Sequence, residues 1–318
     1  TIDTMLIFTN LGNYLYLPVH EIPDIKWKQL GKHLSNIIKL GEDEKIIAAI
    51  PINDFNIDRS IIIASKGGMI KKTKVSEFKV SRYSKPISCM KLKDGDEVVG
   101  AFINNYNNIF IATNKCYGLW FDQSDIPESG IKSSGVKSIN LKGDEVVAVN
   151  NFDNDIEYVT IFTNKNTAKR VKIQEFEKQS RAKRGLLLLR DVKTNPYEII
   201  NVILTKNNSY FGIKTSSDID YIKNTEISIS DRYKTGMTIS KKDVVSIFLK
   251  VGLTDGSVIN DKEDKKDDIE VLDEGPITSK EENLVVEEVK KPEIIEKPHQ
   301  ISLLEIDDEL RKIDDILK

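Results

Sequence analysis

Two groups of basic residues stand at matching places in this 318-residue chain. Lys66, Lys71, Lys72 and Lys74 lie in and just before the run MIKKTK, with Arg82 and Lys85 in the stretch that follows. Lys165, Lys169, Arg170 and Lys172 lie in KNTAKRVK, with Arg181, Lys183 and Arg184 after them. Cations strung along a track, rather than gathered in a pocket, suit a polyanion whose phosphates are also strung along a line. Recurrence in register would put both groups on equivalent outer edges. Charged edge strands that resist aggregation would give the same pattern.

Other chemistries fit less well. Asp94-Gly95-Asp96 lacks the twelve-residue spacing of a calcium loop and is expected to be a tight turn. Lys66-Gly67-Gly68 lacks the rest of a phosphate-binding loop and reads as a hairpin turn. His20, His33 and His299 have no Ser or Cys partner in a motif. Cys89 and Cys116 show no metal-ligand spacing and are expected to be reduced thiols. No recognition helix or zinc-finger pattern suggests sequence-specific readout. No catalytic, metal or cofactor site is expected in this chain.

The elements that would carry the cations repeat. LIFTNLGNYLYLP (6–18) aligns with IIASKGGMIKKTK (62–74), FIATNKCYGLWFD (110–122) and TIFTNKNTAKRVK (160–172). The Thr/Ser column falls at Thr9, Ser65, Thr113 and Thr163. A fifth copy, GIKTSSDIDYIKN (212–224), is aligned with Lys214 in that column and looks more worn. A second landmark follows each first one: LGEDEKIIAAI, LKDGDEVVGAF, LKGDEVVAVNNF, VKTNPYEIINVIL and SKKDVVSIFL. A period near 50 residues points to a propeller or another blade array. Within each unit β-branched runs alternate with Gly and Asp turns, as about four short strands would require. Residues 1–250 are therefore expected to form one domain, with blades near 1–53, 54–104, 105–152, 153–205 and 206–250. Trp27 and Trp120 are expected to pack between blades.

Charge divides the chain. Residues 251–318 hold 21 acidic and 10 basic residues, which leaves 29 acidic and 37 basic in residues 1–250. The body carries +8 and the tail −11. A basic body with an acidic tail suggests a polyanion partner and a competitor for it. The tail is expected to be mostly disordered, with an amphipathic helix near 302–317 whose stripe is Leu303, Ile306, Leu310, Ile313 and Leu317. Deleting 251–318 is expected to tighten DNA binding, most at low salt. Side-by-side affinities of the full and shortened chains across salt would check this. No apolar run is long enough to span a membrane as a helix.

The serial order of strand, Gly turn, basic strand, Phe78 or Phe176, loop and LKDGDEVV resembles the C-terminal domain of bacterial type IIA topoisomerase A subunits. The resemblance covers residues 1–250. It implies a β-pinwheel, a propeller-like array of four-stranded blades in which neighbours exchange a strand. It implies binding of double-stranded DNA of any sequence along the perimeter, and bending of that DNA. The cations named above are the residues expected to do this. It implies ATP and Mg²⁺ sites in other domains, and a complex of the ATPase B subunit with the rest of the A subunit. It implies a bacterial cytoplasmic location at the nucleoid. The family usually shows six blades, so a first blade is expected upstream of Thr1.

Gyrases of this family carry a QRRGGKG box that anchors DNA wrapping. Here Gln179-Ser180-Arg181-Ala182-Lys183-Arg184-Gly185 keeps the Gln, one matching Arg and the last Gly. That erosion resembles topoisomerase IV, which relaxes and decatenates. A gyrase wrapping domain without its box-bearing blade is the first alternative. A propeller scaffold for protein partners is the second.

Overall fold

The computed structural model describes residues 2–250, apart from residues 27, 37, 39, 42, 191 and 193. Trp27, the acidic tail and its helix near 302–317 lie outside the described residues. In chain order the strands are β1 (Thr4–Thr9), β2 (Asn13–Pro18), β3 (Ile46–Ile52), β4 (Ser60–Ser65), β5 (Met69–Lys74), β6 (Ile87–Ser88) and β7 (Val98–Ile103). Then come β8 (Asn108–Thr113), β9 (Tyr117–Asp122), β10 (Val136–Lys137), β11 (Val146–Phe152), β12 (Tyr158–Thr163), β13 (Thr167–Lys172) and β14 (Leu186–Leu187). The last are β15 (Ile199–Thr205), β16 (Tyr210–Thr215), β17 (Ile219–Lys223), β18 (Met237–Thr238) and β19 (Val244–Lys250).

These strands form five antiparallel sheets, β3-β1-β2-β6, β7-β4-β5-β10, β11-β8-β9-β14, β15-β12-β13-β18 and β19-β16-β17. The protein is an all-β, five-bladed propeller. The central strand of each blade is an apolar run because both its faces are covered. In β4, β8 and β12 every residue is buried. Alternate residues serve opposite neighbours. Ile61 and Ile63 join Leu6 and Phe8 between the first two sheets, while Ile62 and Ala64 join Ile109 and Ile111 between the next two. Phe110 and Ala112 meet Val159 and Ile161, and Phe162 meets Phe211. Each of the Ile, Leu, Val and Phe side chains among them, once buried, stabilises by roughly 1.5–3 kcal/mol. Trp120 is half-buried in the third of these cores and packs on Phe152 at 5.5 Å.

β3, β7, β11 and β15 pack on one another in turn and so form the inner edge. The outer edge is built by exchange. β6, β10, β14 and β18 each belong to one repeat but pair with the sheet of the preceding repeat. The turn that admits them is tight. Gly135, Gly185 and Gly236 have φ of +77°, +82° and +89°. A Cβ on them would run into the carbonyls of Ile70, Gly118 and Ala168 of the sheet they join.

Two expectations are corrected here. The fifth sheet has three strands, not four, because no exchanged strand pairs with β17 among the described residues. The repeat column also shifts by one. The pairing irregularity that ends β1, β4, β8 and β12 at Thr9, Ser65, Thr113 and Thr163 falls in β16 between Lys214 and Thr215. Thr215, not Lys214, is therefore the equivalent residue, and the fifth copy keeps the column. Asp94-Gly95-Asp96 is a turn, with Asp96 accepting from Ser65 Oγ and Gly67 N at 2.7 Å each.

Candidate nucleic-acid interface

The outer edge positions the basic side chains. Before β10, β14 and β18 the chain runs along the edge of the preceding sheet. Ser129 N donates to Lys72 O at 2.8 Å, Gln179 N to Trp120 O at 2.8 Å and Ser230 N to Arg170 O at 2.9 Å. These rim loops, together with the exposed ends of β5 and β13, hold most of the candidate cations. Arg82, Lys85, Lys172 and Lys183 are exposed, and Lys72 is half-buried. None of the five has an ion pair among the described residues.

Three candidates are not on the surface. Lys71 pairs across the sheet with Ile63, and Lys169 with Ile161, so each shares the inward face of its partner. Lys71 is 0% exposed and Lys169 is 1% exposed. The Lys71 ammonium donates to Cys89 O, Gly130 O and Ile131 O at 2.7–2.8 Å. The Lys169 ammonium donates to Asp231 O, Arg232 O and Lys234 O at 2.7–3.0 Å. Arg170 is also buried, donates to Ile227 O, Asn207 Oδ1 and Thr225 O, and lies 4.7 Å from the Tyr158 ring. A phosphate could reach these groups only by breaking those bonds, which tie the rim loops to the sheet. The signal was present in the sequence. The Lys71 and Lys169 column reads Leu15, Lys71, Leu119, Lys169, and a column that alternates with leucine is an interior one.

Others are partly engaged. Arg181 donates to Asp125 O at 3.0 Å and to Lys137 O. Arg184 donates to Asn140 O and Leu141 O, pairs with buried Asp144 at 3.3 Å and covers the Tyr117 ring. Lys165 donates to Asn195 O at 2.5 Å and sits 3.8 Å from the Tyr197 ring. Lys66 pairs with Glu145 at 3.0 Å and Lys74 with Glu128 at 3.8 Å. Those last two pairs are half-exposed and exchange readily for another anion. Lys79, Lys132, Lys137, Lys178 and Lys234, which the basic runs did not single out, also lie along the rim and are exposed. Aligning the loops on Gly135, Gly185 and Gly236 would have found all but Lys79.

Burial is the main cause that lowers Lys71 and Lys169 from 10.5 to about 8. Between pH 8 and 10.5 the unfolded chain then keeps protons that the folded chain has released. Stability therefore gains from these groups as pH rises through that window, by at most about 1.4 kcal/mol per unit per group. Urea midpoints at pH 8, 9 and 10 should rise less steeply for Lys71→Met than for the parent. Equal slopes would show that Lys71 does not titrate there.

A family model described as DNA gyrase C-terminal domain, beta-propeller, matches residues 3–53, 59–105, 107–153 and 157–206. The chain belongs to this gyrase C-terminal domain family. The A subunit of DNA topoisomerase 4 from Bacillus subtilis (strain 168) is 38% identical over 238 residues, covering 74% of this chain and 30% of that protein. Its counterpart from Staphylococcus epidermidis is 34% identical over 245 residues, covering 76% and 31%. The chain thus spans about a third of the length of these relatives. The solved C-terminal domain of DNA topoisomerase IV is similar at 40% identity and TM-score 0.75, over 78% of this chain and 79% of that one. The DNA gyrase A C-terminal domain shares the fold at 19% identity and TM-score 0.65, over 79% and 83%. Among the described residues no helix of this family member is long and apolar enough to cross a membrane.

Proposed function

We propose that residues 1–250 bind double-stranded DNA of any sequence along the outer rim and bend it, as the non-catalytic C-terminal module of a topoisomerase IV A subunit. The observation that carries this is the rim itself. Arg82 and Lys85 precede the strand that joins the first sheet, Lys183 precedes the one that joins the third, and Lys172 ends β13 of the fourth, all exposed and without a carboxylate partner among the described residues. Cations spaced by repeated blades neutralise phosphates without reading bases. A rim that turns from blade to blade holds a duplex only if the duplex bends with it.

The relatives support topoisomerase IV over gyrase, and so does the loop at Gln179–Gly185. Its two arginines are turned onto protein carbonyls, which leaves Lys183 as the outward cation. In this reading the module presents DNA to a strand-passage core formed by the ATPase B subunit with the rest of the A subunit. That core would supply the ATP and Mg²⁺ chemistry in the bacterial cytoplasm.

A salt titration with random-sequence duplex tests the proposal. If the complex neutralises about five phosphates, log K against log salt should fall with a slope near −4 to −5. A flat titration, or strong preference for one short sequence, would favour the alternative of a scaffold for protein partners.

A further inference from the structure

A cavity of about 360 Å³ lies on the rim beside the fifth repeat's exchange loop, with Arg190, Ser230, Lys234, Thr235 and Gly236 among its walls. We propose that this cavity is a seat for a single phosphate group.

The backbone makes the seat. Lys169 draws the carbonyls of Asp231, Arg232 and Lys234 inward, and Thr167 Oγ1 donates to Thr235 O at 3.1 Å. The chain has no cis peptide bond among the described residues. In a trans peptide the N–H points away from its own carbonyl. The carbonyls of Lys234 and Thr235 point into the protein, so the amides of Thr235 and Gly236 point out of it. Neither amide donates to a protein acceptor among the described residues, whereas those of Arg232, Tyr233 and Lys234 do. Two successive outward amides form a concavity suited to an anion.

The side chains agree with the backbone. Ser230 Oγ is buried and makes no hydrogen bond, alone among the described buried side-chain polar atoms in that respect. An orphaned hydroxyl of this kind costs about 1–3 kcal/mol, and a rotation about χ1 onto a bound oxygen would recover it. Arg190 is exposed and has no partner among the described residues. Lys234 meets only Asp231, at 3.7 Å with both side chains more than half exposed, a weak pair that leaves the ammonium open to exchange for another anion. Amides, a hydroxyl, a guanidinium and an ammonium are all donors, and the unprotonated oxygens of a phosphate are acceptors. The seat itself stands on this geometry. That its phosphate comes from a DNA backbone rests on the rim reading given above, and it would fix one point of the duplex on the rim.

Amide resonances of the full chain can be followed while inorganic phosphate, and separately a short random-sequence duplex, is added. Thr235 and Gly236 should shift saturably with both ligands. Arg190→Ala should weaken both about tenfold, one charge-assisted contact being lost. Ser230→Ala should weaken phosphate without lowering the urea midpoint, and Lys241→Ala should do neither. Phosphate saturating the two amides while the duplex fails to bind keeps the seat, assigns it to free phosphate and overturns the rim reading. Duplex binding untouched by Arg190→Ala and Ser230→Ala, with no local phosphate shift, overturns the seat and leaves the rim. Equal losses from Lys241→Ala and Arg190→Ala also overturn it, since only net charge would then matter.

Discussion

Gly135→Ala should destabilise the protein by about 3 kcal/mol, while Gly143→Ala, with nearly the same backbone angle, should cost only about 1 kcal/mol. Both glycines are left-handed, at φ +77° and +76°. A Cβ on Gly143 meets nothing within 4 Å, whereas one on Gly135 runs into the carbonyl of Ile70. The residues after Gly135 have no slack. β10 is only Val136–Lys137, and Ser138 then donates through both N and Oγ to Gly68 O at 2.8 Å. Moving the turn outward to admit a methyl group would break that anchoring and uncover the edge of β5. Urea midpoints of the two variants decide the matter. Equal shifts would mean that left-handed strain alone counts and that the close approach does not hold the exchanged strand.

The second large effect separates outward from inward cations. Changing Arg82, Lys85, Lys172 and Lys183 together to alanine should flatten the salt slope of DNA binding by about 3–4 units and weaken binding roughly 100-fold or more near 0.1 M salt. Lys71→Met removes the same kind of charge from the interior. It should leave the slope within one unit of the parent and change stability instead, because three carbonyls lose their donor. Measuring both slopes and both urea midpoints gives a two-by-two outcome. A quadruple variant with the parental slope would sink the rim as a phosphate track. A Lys71→Met variant that loses as much slope as the quadruple would place Lys71 on the ligand.

Most of the blade was legible because it depends on local rules. Ile61-Ile62-Ile63 could form only a strand covered on both faces, and the recurring Thr or Ser marked where each central strand ends. The left-handed turn residue was legible as Gly12 and Gly68, but not as Cys116 and Asn166, which adopt φ +66° and +54° at the same offset. At Cys116 the hairpin imposes a conformation that the side chain does not favour, whereas Asn166 is of a type that tolerates it. The fifth copy is a different case. GIKT itself sets Thr215, not Lys214, under Thr9, and the pairing irregularity beside Thr215 agrees.

By itself, the sequence determined the strands, their turns, the repeat and the excess of positive charge in residues 1–250, because each follows from neighbours a few residues apart or from composition. Tertiary structure decided which cations are exposed and how the buried ones are held. In MIKKTK and TAKRVK successive residues take opposite faces, yet a lysine reads as a surface residue unless something inside can hold its charge. What holds Lys71 and Lys169 comes from loops about 60 residues further along, delivered by strands that have crossed into the preceding sheet. Only that exchange brings three carbonyls to Lys169 and, beside Cys89 O, the other two to Lys71. It buries two lysines that composition would have left in water, and it leaves their loops to carry the outward charge.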